Sequence, residues 1–86
     1  MTYYTVIIQR GCERFDPVDI YHFISLENAI HYIETLIANT KDKELKQQNA
    51  TVISEYRKGR FDRYTHLNSI WSPIQLRQDN ISFEDE

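Results

Sequence analysis

The stretch YRKGRFDRY, residues 56–64, interleaves Arg57, Lys58, Arg60 and Arg63 with Tyr56, Phe61 and Tyr64. Guanidinium groups pair bidentately with phosphate and aromatic rings stack on unpaired bases, so the mixture suits single-stranded nucleic acid. Arg10 and Arg14 would widen the patch if two turns lay side by side. A plainer reading sends alternating residues to opposite faces, with the bases in solvent and the rings in a core. One basic turn on a chain of net charge −3 is a weak electrostatic footprint, and the plainer reading is preferred.

Acid–base and metal chemistry find less support. His22, His31 and His66 fall in a strand, on a helix exterior and in a strand, and none pairs with another His or Cys at a metal-ligand spacing. Asp19 lies three residues before His22, and Asp62 four before His66. In a strand the first offset puts the two side chains on opposite faces, and the second leaves them far apart. The GxSxG, GxxxxGK[ST], HExxH and GxGxxG motifs are absent, and Cys12 has no assignable His partner. No catalytic residue, metal ligand or cofactor is expected, and an enzyme is not.

Aromatic residues point elsewhere. Six tyrosines and Trp71 exceed what a small core can hide, and both types are enriched at the energetic centres of protein interfaces. Trp71, in IWSPI, suits either a contact site beside a sheet edge or the floor of the core. The terminal DNISFEDE carries four carboxylates and no base, the composition of a solubilising tail or of a segment that docks on a basic partner.

These residues must be positioned by one small domain. At 86 residues the chain buries only about 60–65% of its unfolded surface, which leaves little core to give up to a deep cleft. A hydrophobic share of 41% with 27% charged residues is that of an ordinary globular domain, and two Gly and two Pro argue for regular elements. A single cysteine excludes an internal disulfide and fits a reducing compartment. The N-terminal MTYYTVIIQR does not read as a secretory signal, and no window reaches the ~20 apolar residues of a membrane span. A cytoplasmic address is expected.

TYYTVIIQ, residues 2–9, is β-branched and aromatic and predicts a strand. Residues 18–24, VDIYHFI, predict a second, with Val18, Ile20, His22 and Ile24 on one face and no cleanly polar side, as in a strand buried on both faces. Ser25 then caps a helix over about 26–38, where Leu26, Ala29, Ile30, Ile33, Leu36 and Ile37 recur at helical spacing. KDKELKQQNA reads as a helix extension or a mobile linker. Residues 51–57 and 60–68 read as a hairpin turning at Lys58-Gly59, with Tyr56 opposite Phe61 and Ile53 opposite Tyr64. A 3.6-residue period through Ile53, Tyr56, Arg60, Tyr64 and Leu67 is the weaker, helical alternative. Ser72-Pro73 opens either a short helix or an edge strand, with the extended reading preferred.

The hairpin reading also bears on a near-repeat. TVIIQRGCERFD (5–16) and TVISEYRKGRFD (51–62) share six residues on one gapless diagonal, 46 positions apart. A ββα unit written twice would explain this, but coincidence and shared hairpin chemistry explain it at least as well.

The expected architecture is therefore α+β: a small antiparallel sheet of about four strands in ββαββ order, with one amphipathic helix packed on one face. Residues 1–79 would form the domain and 80–86 the acidic tail. The expected function is that of a small non-enzymatic intracellular interaction or regulatory protein, an inhibitor being one form of it, that binds a protein partner through its hairpin and aromatic surface. The contact residues would be Tyr56, Arg57, Lys58, Arg60, Arg63, Tyr64 and Trp71, and a self-pairing sheet edge would make the chain a homodimer. A nucleic-acid-binding module using hairpin 56–64 with Arg10 and Arg14 is the alternative; no membrane role is expected.

Overall fold

In the computed structural model, residues 1–9, 18–67 and 72–80 are described. The elements run β1 (Thr2–Gln9), β2 (Val18–Phe23), α1 (Leu26–Ile37), α2 (Lys43–Arg57), β3 (Tyr64–His66) and β4 (Pro73–Asn80). All pairings are antiparallel and the spatial order is β2-β1-β4-β3. The α+β class and the four-stranded antiparallel sheet stand as the sequence implies. The order differs in having two successive helices between β2 and β3.

The helices account for that difference. Ser25 Oγ accepts from the Asn28 N–H at 3.4 Å and caps α1, whose buried stripe is Ala29, Ile30 and Ile33. Asp42 Oδ1 accepts from the Leu45 N–H at 3.0 Å and caps α2. KDKELKQQNA is thus neither linker nor loop: apart from the first two residues it is the first half of α2, with Leu45 and Asn49 buried. Residues 51–57 are the second half of α2 and not a strand, so the expected hairpin does not exist. Leu45, Asn49, Ile53 and Tyr56 keep helical spacing and turn the polar helix's narrow buried face to the core.

Lys58-Gly59 ends α2 instead of turning a hairpin. The Arg60 N–H donates to the Glu55 carbonyl and the Gly59 N–H to the Tyr56 carbonyl, both at 3.0 Å. That pair of bonds is a Schellman closure, with Gly59 at φ +85° in the left-handed conformation it requires. Glycine serves this role and a hairpin turn equally well, which is why the local signal misleads.

The near-repeat therefore carries two different structures: Thr5-Val6-Ile7 lies in a strand and Thr51-Val52-Ile53 in a helix. A duplicated ββα unit is ruled out. The remainder of the first copy, residues 10–16, lies outside the described residues.

The helices cover one face of the sheet. Val6, Ile8, Ile74 and Leu76 meet Ala29, Ile30, Ile33, Ile53 and Tyr56 there, all buried. Pro73 starts β4, as its missing N–H favours, but over Ile74–Gln75 β4 is an inner strand between β1 and β3 and not an edge. It runs to Asn80, the first residue assigned to the tail; residues 81–86 lie outside the described residues. The outer strands are β2 and β3, and β2 is exposed along much of its length where burial on both faces was expected.

Candidate functional site

The basic-aromatic stretch is dispersed by the helix. Tyr56 is fully buried, its hydroxyl donating to the Arg63 carbonyl at 2.7 Å, and burial pushes that hydroxyl's pKa up to about 12. Its ring packs against Phe61 with centroids 6.1 Å apart, so the expected contact exists, though as core packing and not as a cross-strand pair. Arg57 bridges to α1 through Glu27 and Glu34, each at 3.5 Å. Lys58 and Arg60 both reach Glu55, at 3.6 and 3.1 Å. Burial alone would raise the Glu55 carboxyl, but the hydrogen bond and charge of Arg60, then those of Lys58, outweigh it and hold the group below its usual range.

Lys58 and Arg60 thus stay together at the surface on Glu55, and Arg63 and Tyr64 stay together elsewhere on it. With His66 and the α2 residues Glu44, Gln47, Gln48, Thr51 and Val52, Arg63 and Tyr64 line an open depression of about 660 Å³. Arg10, Arg14 and Trp71 lie outside the described residues.

Two features that sequence reasoning missed arise from strand order. The first is a polar chain across the sheet face that the helices leave open. Thr5 Oγ1 donates to Asp79 Oδ2 at 3.1 Å and lies 3.1 Å from His22 Nδ1. The hydroxyl proton being committed to Asp79, Nδ1 of His22 must carry the proton of the second bond. Arg77 Nη2 donates to Asp79 Oδ1 at 3.1 Å, and Tyr3 meets the His22 ring edge-on at 5.5 Å. These residues stand 17 and 74 positions apart, and only the order β2-β1-β4 unites them. The sequence holds no signal for it.

The second is the contrast between the two sheet edges. β3 has three residues, and Asn49 of α2 closes its outer side: Nδ2 donates to the His66 carbonyl at 3.0 Å and Oδ1 accepts the His66 N–H at 2.9 Å. β2 has six residues and holds the apolar surface: Val18 is 48% exposed, Ile20 56%, Tyr21 40%, and the adjoining Ile24 73%. Met1 is exposed beside them, in a depression of about 310 Å³ shared with Tyr3, His22, Phe23 and Ile24. β2 contains no Lys or Arg, and its register with β1 is unbroken from Val18 to Phe23. Charged side chains (above all Lys), Pro and bulges are the usual devices for blunting an edge, and of these β2 carries only Asp19. The expected alternation of β2 is legible, since Val18, Ile20 and His22 share one face; its exposure is not.

No family model, curated protein or solved structure matches the chain. The site must be read from its own chemistry. Among the described residues no three His, Cys, Asp or Glu side chains converge as metal ligands, and no helix is long and apolar enough to cross a membrane.

Proposed function

We propose that this chain is a small non-enzymatic interaction protein that binds a protein partner along the outer edge of β2. The single observation that carries the reading is the concentration of exposed Val18, Ile20, Tyr21 and Ile24 on an edge whose strand has no Lys, Arg or bulge and one charged residue, Asp19. Monomeric domains rarely leave apolar groups contiguous at a strand edge, because unpaired backbone groups and apolar side chains together recruit another chain. Strand addition supplies main-chain hydrogen bonds, and side chains on alternate faces supply selectivity. This reading puts the partner surface on β2, whereas the sequence pointed to residues 56–64.

Photo-crosslinking in living cells tests this directly. A photoreactive amino acid replacing Ile20 should yield a discrete crosslinked polypeptide, while one replacing exposed Gln47 on α2 should not. Equal yields from both positions, or none from position 20, would remove β2 as the partner surface.

A further inference from the structure

We infer that the partner on the β2 edge is a second copy of this chain, paired antiparallel about a two-fold axis at Tyr21; this rests on the interaction reading above. A closed two-fold is the commonest oligomer symmetry and needs one patch that complements itself. The axis of an antiparallel edge pair stands normal to the sheet. It therefore keeps the helices of both copies on one face and sets residues of the same face opposite each other.

Three registers are open to so short a strand. An axis at Ile20 would pair Val18 with His22 and Asp19 with Tyr21, and would leave exposed Ile24 uncovered. An axis at His22 would leave Val18 beyond the paired strand and set two imidazoles opposite each other. An axis at Tyr21 pairs Ile20 with His22 and sets Val18 against Ile24, one residue past the end of β2, and so covers Val18, Ile20, Tyr21 and Ile24 at once.

The helix-side face supports the same axis. There Tyr21 packs on Tyr32 with ring centroids 5.1 Å apart, and Phe23 packs on Tyr32 at 5.5 Å. With Tyr21 opposite its counterpart, this aromatic cluster continues across the axis and does not end at solvent. Aromatic rings directly across an antiparallel pair are favourable neighbours. Charge raises little opposition: the chain's net charge is −3, and Asp19 is the only acidic or basic residue within β2 apart from His22. In this register the two Asp19 groups lie on opposite sides of the axis and face Phe23, so they do not oppose each other. The product is one continuous eight-stranded sheet whose outermost strands are the two copies of β3, each held at His66 by the Asn49 bridge.

The register is tested by a disulfide trap in the full chain with Cys12→Ser. Directly opposite residues have Cβ atoms within about 4.5–5.5 Å, close to disulfide reach. Tyr21→Cys should form a covalent dimer in a glutathione redox buffer, and Asp19→Cys should not. Sedimentation of the unmodified chain should show a monomer–dimer equilibrium, with the dissociation constant raised at least tenfold by Ile20→Lys and an unchanged circular dichroism spectrum. A bridge at position 19 in place of 21 would overturn the axis. A chain that sediments as a monomer up to about 1 mM, the limit of weak association, would overturn the second copy. A crosslink from position 20 to a different polypeptide would still leave the interaction reading standing.

Discussion

Asn49 does for β3 what a neighbouring strand would otherwise do. Its amide gives and takes one hydrogen bond at the His66 backbone, from a position that is itself buried. Asn49→Ala leaves a donor and an acceptor short of partners, which costs about 1–3 kcal/mol for each group that water cannot reach. Urea denaturation should show a loss of at least about 2 kcal/mol, while Gln48→Ala on the exposed side of the helix should change little. His66 also makes a prediction about pH. Burial lowers its pKa, and Nδ1 is enclosed without a hydrogen-bond partner. The unfolded imidazole takes up a proton near ~6.5 and the folded one only at lower pH, so protons favour the unfolded chain. This contribution to stability is intact above ~6.5 and is lost as pH falls from there through the folded value. The midpoint of urea unfolding should drop between about pH 7.5 and 5.5, with a smaller drop in His66→Gln; equal drops would show that another group is responsible. Tyr56 acts at the other extreme. Its raised pKa of about 12 means that stability is present below ~10 and is lost as pH rises through the folded value. Tyr56→Phe should abolish that alkaline loss while costing about 1 kcal/mol at neutral pH for the bond to the Arg63 carbonyl.

At the scale of elements, α2 shows how far local pattern reaches. Its N-terminal half is polar and its C-terminal half begins with β-branched Thr51, Val52 and Ile53, types that favour strands. What decides for helix is the cap at Asp42 and the buried series Leu45, Asn49, Ile53 and Tyr56, in which an asparagine holds a core position. A buried Asn reads as polar in any hydrophobic pattern, and its reason for burial, the His66 backbone, lies 17 residues away. By contrast β1, β2 and α1 are legible because each declares itself through its own residues: a β-branched run, an alternation and a capped apolar stripe. The polar chain from His22 through Thr5 to Asp79 and the exposure of β2 were not legible, because both follow from strand order, which local residues do not specify. The Schellman closure supplies the test at this scale. No atom lies within 4 Å of where a Cβ on Gly59 would stand, so Gly59→Ala meets no clash and its cost is conformational alone. At φ +85° that cost is about 1–2 kcal/mol, and it should appear as a lowered urea midpoint with an unchanged slope. A neutral substitution would mean that the end of α2 relaxes out of the left-handed conformation.

For the whole molecule, the sheet's two edges divide protection between a side chain and a proposed second copy, and amide exchange can tell the two apart. β1 is paired on both sides over Tyr4–Ile8 and β4 over Ile74–Gln75, so the amides there should exchange slowly at every protein concentration. In β2 every second N–H points toward β1 and the others point outward. In a monomer the outward set meets water and should exchange fast whatever the concentration. In the dimer these same amides pair across the axis, and protection follows the dimer population by mass action. Residue-resolved exchange at about 10 μM and about 1 mM, either side of a micromolar to submillimolar dissociation constant, should therefore slow only the outward β2 amides. The His66 N–H should stay protected at both concentrations, because Asn49 holds it within the chain. Ile20→Lys should return the outward β2 amides to fast exchange without disturbing β1 or β4. A concentration effect spread over β3 or the exposed face of α2 would place the contact on another surface, and uniform exchange at both concentrations would exclude association through this edge.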